Sequence, residues 1–324
     1  MIYFKLPFNE KLYTTTEESF KNSVTFYPFD STDRLRFKGN IREVNTEEFA
    51  AIEITNQLLS QDKDHFTGET EKEYLEKLDD VIKVIKENNL PKLVLSRRKI
   101  IKNFNFIDLK ESFTNLCNSY PNAFRYIFID GENSWMGAFS EVLGKFDKKT
   151  HQFETMSLAG TLPVSESWSE KEIEEQKPVS IYIQNIFEKY AILGNIEKSP
   201  TYDHISGNIK HLRTDFRAKI KPEDVDHIIK ELHPTPAVCG IPKEFCKEKI
   251  QEFEKFPREY YAGYIKIETE DTVQYFVNLR CAKLYKDSVH LFVGGGITAQ
   301  SNPEKEWQET ELKSEAVLKN LVIS

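Results

Sequence analysis

An apolar run, SVHLFV (288–293), ends on three glycines, and a polar stretch then leads into PEKEWQETELK (303–313). No other segment constrains the fold as much. The Val, Leu and Phe residues suit a buried strand. Gly294, Gly295 and Gly296 leave backbone N–H groups open to an anion. Asn302 suits the N-cap and Pro303 the first position of a closing helix. Spacings of three and four project Glu306, Glu309 and Lys313 from one helix face. Together these suggest a carboxylated ligand held near a divalent metal. The same spacing also suits a solvated face with an i,i+4 Glu–Lys pair. The glycines lack the GK[ST] of a phosphate loop. The helix begins too late, with too little chain beyond it, for a dinucleotide-binding unit.

The chain has 324 residues, enough for one large domain or two ordinary ones. With 44 Lys plus Arg against 52 Asp plus Glu, its formal net charge is −8, which argues against a nucleic-acid surface. The start, MIYFKLPFNEKLY, lacks the pattern of a signal peptide. No run approaches the roughly 18 apolar residues of a membrane span. Cys117, Cys239, Cys246 and Cys281 show no CxxC pairing, so reduced thiols in a cytoplasmic protein are expected.

Residues 1–66 alternate short apolar runs with polar turns and carry no evident chemistry. Apolar positions at helical spacing predict a helix over 69–89, ended by Asn88-Asn89. Further helices are expected near 107–119, 169–192, 222–231 and 243–256. Strands are expected at LPKLVLSRRKII, FRYIFID, SWMGAFSEVLGKFD, HQFETMSLAGTL, YAGYIKIE and TVQYFVNLRCAKLY. Hairpins mixed with helices indicate an α+β class and no regular βαβ array.

A second acidic pair, Glu172 and Glu175, lies in SWSEKEIEEQ. Ser169 and Glu172 fit a capping box, which offers Glu172 a purely structural duty. Glu175 has none, and is the stronger metal candidate. Carboxylates from two helices suit octahedral Mg²⁺, and the scarcity of His and Cys nearby disfavours Zn²⁺. Pro178 predicts a local kink just after Glu175. Lys92 sits in the apolar strand PKLVLSRR. Turned inward it can act as a base, and at an edge it is an ordinary strand lysine. Glu141, in GAFSEVLG, is an acid at a strand-like position. Buried, it keeps its proton and can donate it; facing solvent, it does neither. Arg280, in FVNLRCAKL, could clamp a carboxylate with two hydrogen bonds, or lie on a strand surface.

Taken in order, these pieces resemble the chorismate-utilising enzyme family. The resemblance runs from about Tyr74 to the C-terminus. It is carried by PKLVLSRR (91–98), GAFSEVL (137–143), SLAGTLP (157–163), KEIEEQ (171–176), IKHLRT (209–214), LHPTPAVCG (232–240), REYYAG (258–263), LRCAKL (279–284) and GGGITAQSNPEKEWQETELK (294–313). It implies an anthranilate synthase component I-like fold, with large mixed or antiparallel sheets packed together and helices outside. Residues 67–324 would be the chorismate-binding catalytic domain, and 1–66 a short N-terminal region of the same globule.

Position by position, the resemblance implies roles. Lys92 matches the lysine that deprotonates the attacking water, and Glu141 the general acid. Glu175 and Glu309 match the principal Mg²⁺ carboxylates, with Glu172 and Glu306 beside them. Gly160, Thr161 and His211 match residues lining the ring. Tyr261, Arg280, Gly294, Gly296 and Lys313 match the carboxylate-binding set. The aminating members carry glutamine where this chain has Lys92. Aminodeoxychorismate synthases carry a lysine nucleophile where it has Ala159. HPTPAVCG and LRCAKL look like the isochorismate synthase versions. The implied reaction is therefore conversion of chorismate to isochorismate with water as nucleophile and no glutamine amidotransferase subunit. Salicylate synthase, which goes on to eliminate pyruvate, is the near alternative; a non-catalytic metal-binding relative is the distant one. Isochorismate feeds menaquinone and siderophore synthesis alike. Gln176 stands where the family usually has histidine, Pro178 where leucine is common, and Gly295 where alanine is usual.

Overall fold

The computed structural model describes residues 1–16, 18–30, 32–63, 66–206 and 209–324. Strand alternation organises it. Ile2 and Phe4 point into a core shared with Phe26, Phe128 and Phe153, while Tyr3 between them joins a second apolar cluster. Tyr126 and Phe128 face the first core, and Ile127 and Ile129 the second. Side chains of period two thus give one sheet two buried faces.

Among the described residues there are two nine-stranded sheets and a two-stranded one. The first large sheet runs through strands Lys92–Lys102, Ser288–Ile297, Cys281–Leu284, Asn133–Phe139, Phe124–Asp130 and Ile2–Lys5. The second runs through Ile209–Lys219, Gln152–Pro163, Val142–Asp147, Thr272–Val277, Tyr264–Glu268 and Asn22–Tyr27. Their pairings are antiparallel. The aromatic core lies between these sheets. The α+β class follows from this arrangement.

Seven helices accompany the sheets among the described residues: α1 (Thr46–Ala51), α2 (Glu71–Glu87), α3 (Leu109–Ser119), α4 (Glu170–Tyr190), α5 (Val225–Leu232), α6 (Lys243–Phe253) and α7 (Pro303–Leu318). α2 begins at a capping box in which Thr70 and Glu73 satisfy each other's N–H groups. It buries Tyr74, Leu78, Val81 and Ile85 with Ile250 of α6 against Leu93 and Leu95. α3 and α7 cover the outer face of the first sheet. α4 lies along strands Gln152–Pro163 and Ile209–Lys219 and runs helically through Pro178 without a break. The missing N–H there is accommodated within one continuous element.

Three local features differ from the expected strands. Glu141 lies in a two-residue break, 140–141, between strands Asn133–Phe139 and Val142–Asp147. Arg280 lies in a gap between Thr272–Val277 and Cys281–Leu284, with φ 45°. Tyr202–Ser206 forms a short strand paired with Ile209–Lys219. The four cysteines are buried and unbridged. Among the described residues no helix is long and apolar enough to cross a membrane.

Candidate active site

One cavity lies between the two sheets. Lys92, Glu141, Gly160, Thr161, Glu175, His211, Tyr261, Arg280, Gly294, Gly296 and Lys313 all line it. Glu172, Glu306 and Glu309 do not line it but adjoin it on α4 and α7. The register explains the convergence. Strand Ser288–Ile297 runs antiparallel to Lys92–Lys102 with Gly294 opposite Ser96 and Gly296 opposite Val94, so the glycines lie next to Lys92. A Cβ on Gly296 would come within 2.5 Å of Glu175 Oε1 and 2.7 Å of Lys92 Nζ. Any larger residue would force one of these two side chains to shift.

Lys92 is not an edge residue. It is buried, and its Nζ donates to Glu175 Oε1 at 2.6 Å. Burial alone would raise the Glu175 carboxyl, but the charge and hydrogen bond of Lys92 outweigh it and hold Glu175 below the usual range. Glu141 has the opposite balance. Its burial dominates the more distant charges of Lys92 and Lys313 and pushes its carboxyl up to about 7. The cavity therefore sets a protonatable acid and a lysine against the same space.

At another wall, Arg280 Nη2 lies 3.0 Å from His211 Nε2, and His211 Nδ1 lies 2.9 Å from Gly160 O. A guanidinium can only donate, so Nε2 accepts and Nδ1–H donates to the carbonyl. Burial, then the Arg280 charge, depress His211 well below its usual value, which keeps the ring neutral. Gly160 makes this carbonyl available at a strand irregularity between Ala159 and Leu162, where φ is +71°. Thr161 Oγ1 stands 3.2 Å from the same imidazole nitrogen. Arg280 itself occupies left-handed backbone, a strained state for an arginine. Lys313 Nζ donates to Gly294 O at 2.9 Å and to Glu309 Oε1 at 2.6 Å. Tyr261 is buried nearby, and its hydroxyl would meet a Cβ on Gly294 at 2.8 Å.

The glutamates lie on two helices beside the glycine loop. Glu306 and Glu309 both face Gly295, with oxygens 3.5 and 3.6 Å from where its Cβ would be. This face of α7 is not a solvated one, since Glu306 is 1% exposed. Burial, then the neighbouring Glu309 charge, raise the Glu306 carboxyl. Glu306 Oε1 accepts from Lys171 Nζ at 2.7 Å, and its Oε2 is buried with no hydrogen-bond partner. Glu172 turns back to accept from Ser169 N–H at 3.0 Å and Ser169 Oγ at 2.6 Å, the capping duty its spacing foretold. Among the described residues no three His, Cys, Asp or Glu side chains converge as a metal-binding group. The donor chemistry nevertheless fits a hard divalent cation: the donors are all carboxylate oxygens, and one of them is orphaned in the interior.

This arrangement has known relatives. Residues 30–322 match the family described as chorismate binding enzyme. The chain belongs to that family. The chain is 26% identical to the isochorismate synthase MenF of Escherichia coli K12 over 243 residues, 72% of its own length and 56% of MenF. It is 30% identical to isochorismate synthase 2, chloroplastic, of Arabidopsis thaliana over 266 residues, 76% of its own length and 47% of that protein. It thus spans about half the length of these curated relatives. Among solved structures, its fold matches that described as a 2,3-dihydroxybenzoate-specific isochorismate synthase, DhbC, from Bacillus anthracis. The TM-score is 0.80 at 23% identity, covering 98% of this chain and 95% of that one. It matches Escherichia coli MenF with a TM-score of 0.76 at 19% identity, covering 98% and 88%.

Sequence reasoning missed several residues around the cavity. Ser140, Leu158, Ala237, Val238 and Leu279 also line it. Ala237 and Val238 lie in the LHPTPAVCG stretch and Ser140 in GAFSEVL, so each motif held a signal, but nothing in residue type marked these positions as lining. Gln176, where the family usually has histidine, is within hydrogen-bonding reach of Ser157 Oγ, Ser180 Oγ and Thr214 Oγ1 at 2.9–3.0 Å. It ties α4 to the sheet immediately beside Glu175.

Proposed function

We propose that this chain is an isochorismate synthase, converting chorismate to isochorismate by attack of water at C2 and loss of the C4 hydroxyl. The observation that carries the reading is the placement of Lys92 and a raised, protonatable Glu141 on one cavity. Lys92 acts as the neutral amine: its ammonium proton leaves to solvent as the contact with Glu175 opens, and the freed lone pair takes the proton of the attacking water. Glu141 gives its proton to the departing hydroxyl, which leaves as water. The ring double bonds shift between these events. One water enters and one leaves, so the atoms balance without a second substrate or an amidotransferase subunit. Arg280, oriented by the neutral His211, and Lys313 supply positive charge for the substrate carboxylates. Tyr261 and the N–H groups around Gly294 and Gly296 add donors beside them. Gly160 and Thr161 bound the ring.

Glu175, Glu309 and Glu306 would hold Mg²⁺, with Glu172 beside them, and the bound ion would neutralise the ring carboxylate as the diene shifts. The chain is assigned to the cytoplasm in this reading, and its product would serve menaquinone or siderophore synthesis. The test is chromatography of products from chorismate, with and without Mg²⁺. Isochorismate as product supports the assignment. Salicylate with pyruvate would replace it by salicylate synthase, and no turnover by a folded, Mg²⁺-supplied chain would replace it by a non-catalytic relative.

A further inference from the structure

Ser140 stands next to Glu141 in the break between two strands and lines the cavity. Its Oγ lies 2.9 Å from Nε2 of His204. His204 belongs to the short strand Tyr202–Ser206 and sits opposite His211 in the register. On its other side, His204 Nδ1 lies 3.4 Å from Arg213 Nη1, and Arg213 Nε donates to Asp215 Oδ1 at 2.8 Å. The mechanism above uses none of these four side chains.

The hydrogen bonds fix where the protons are. Burial, then the charge of Arg213, push His204 down to about 4, so its ring is neutral at ordinary pH. Arg213 has only donors, so Nδ1 accepts and the ring proton sits on Nε2. Nε2–H therefore donates to Ser140 Oγ. The serine hydroxyl still has its own proton to give. Among the described residues the only hydrogen-bond partner of Ser140 Oγ is His204, which cannot take that proton. A donor is left beside the cavity at the Glu141 end, oriented from behind by His204, Arg213 and Asp215 in sequence.

Building on the reading of this cavity as a chorismate site, we propose that Ser140 is a further substrate-binding and specificity residue. It donates a hydrogen bond to an oxygen substituent of the substrate ring at the Glu141 end. His204 and Arg213 are its positioning residues. A site that offers a donor to a ring oxygen rejects analogues lacking that oxygen more strongly than apolar packing does.

The experiment compares wild type, Ser140→Ala, Ser140→Thr and His204→Ala in chorismate turnover, with thermal melting of each. Ser140→Ala is expected to raise KM about tenfold, the scale of one hydrogen bond in a dry site, with kcat within about threefold. Ser140→Thr, which keeps the hydroxyl, is expected to restore most of the affinity, and His204→Ala to give an intermediate rise. Wild-type turnover with an unchanged KM in Ser140→Ala would overturn the Ser140 assignment alone, whatever its melting temperature. So would Ser140→Thr losing as much as Ser140→Ala. If the wild-type chain neither binds nor turns over chorismate, the functional reading falls first and takes this assignment with it.

Discussion

Lys92 and Glu175 join the two sides of the cavity. Lys92 comes from a strand of the first sheet, Glu175 from the helix lying over the second, and their side chains meet at 2.6 Å with 3% and 10% exposure. Each leaves the other costly to remove, because a buried charge without its partner is strongly unfavourable.

Lys92→Met is therefore expected to act twice. Turnover should fall by about 100-fold or more, the usual contribution of a positioned base. Stability should fall by about 3–5 kcal/mol, since Glu175 is left buried without a counter-charge. Millimolar Mg²⁺ should raise the melting temperature of this variant more than that of the wild type, because a cation can replace the missing charge. Full turnover in Lys92→Met would remove the lysine from the role of base.

Glu141 predicts a pH profile. The reactive form must hold this proton while Lys92 is a neutral amine, so kcat/KM should show a break at an ionisation near pH 7. Stability has a linked slope. The folded chain binds the Glu141 proton more tightly than the unfolded chain does. Its contribution is complete below the ordinary carboxyl range and is lost as pH rises through about 7. Glu141→Gln should abolish turnover and flatten that slope in urea titrations taken between pH 5 and 8. A level kcat/KM from pH 6 to 9 would contradict the assignment of the acid.

Gly296→Ala tests the close approach of the glycine loop. The added methyl would meet Glu175 Oε1 at 2.5 Å and Lys92 Nζ at 2.7 Å, so the ion pair must shift to admit it. Overpacking of this kind costs about 1–3 kcal/mol. The sharper effect should be catalytic, a loss of at least ~10-fold in kcat, since the ion pair itself must move. A variant with wild-type kcat and an intact fold by circular dichroism would show that the contact is slack.

The acidic corner predicts a ligand effect independent of turnover. Mg²⁺ should raise the melting temperature in a concentration-dependent way, and EDTA should reverse it. Glu309→Gln should weaken the shift. Lys171→Met should strengthen it, because the ammonium that now bonds Glu306 Oε1 competes for the same oxygen. No Mg²⁺ shift in the wild type at 10 mM, where the chain is folded and monodisperse, would count against a metal at these glutamates (about 10 mM is ample for typical Mg²⁺ sites).

Much of the fold and of the candidate site was legible because residue type and local spacing carried it. Helices α2, α4 and α7 lie where apolar periodicity and capping residues put them, within a few residues at each end. Chemistry-bearing side chains such as Lys92, Glu141 and Arg280 stood out as charges in apolar company. What resisted reading depends on long-range pairing. Glu141 and Arg280 both lie in strand breaks, and at Arg280 the chain takes a left-handed residue that no short window announces. In the strand Tyr202–Ser206, Tyr202, Asp203 and Ile205 are exposed, so His204 had no local mark. Pro178 sits inside α4, which is helical on both sides of it, with Val179, Ile183 and Ile186 packed into the core.

The strands of the first 30 residues have a consequence for any shortened form of this protein. Ile2–Lys5 pairs with Phe124–Asp130, and Asn22–Tyr27 pairs with Tyr264–Glu268, so each large sheet borrows a strand from the same short segment. Cutting the chain at residue 67 would bare one long hydrogen-bonding rim on each sheet, flanked by Phe124, Tyr126, Phe128 and Ile265. Such rims recruit strands from other molecules. The product of that cut would be an aggregating protein, even though every residue that faces the cavity would still be present.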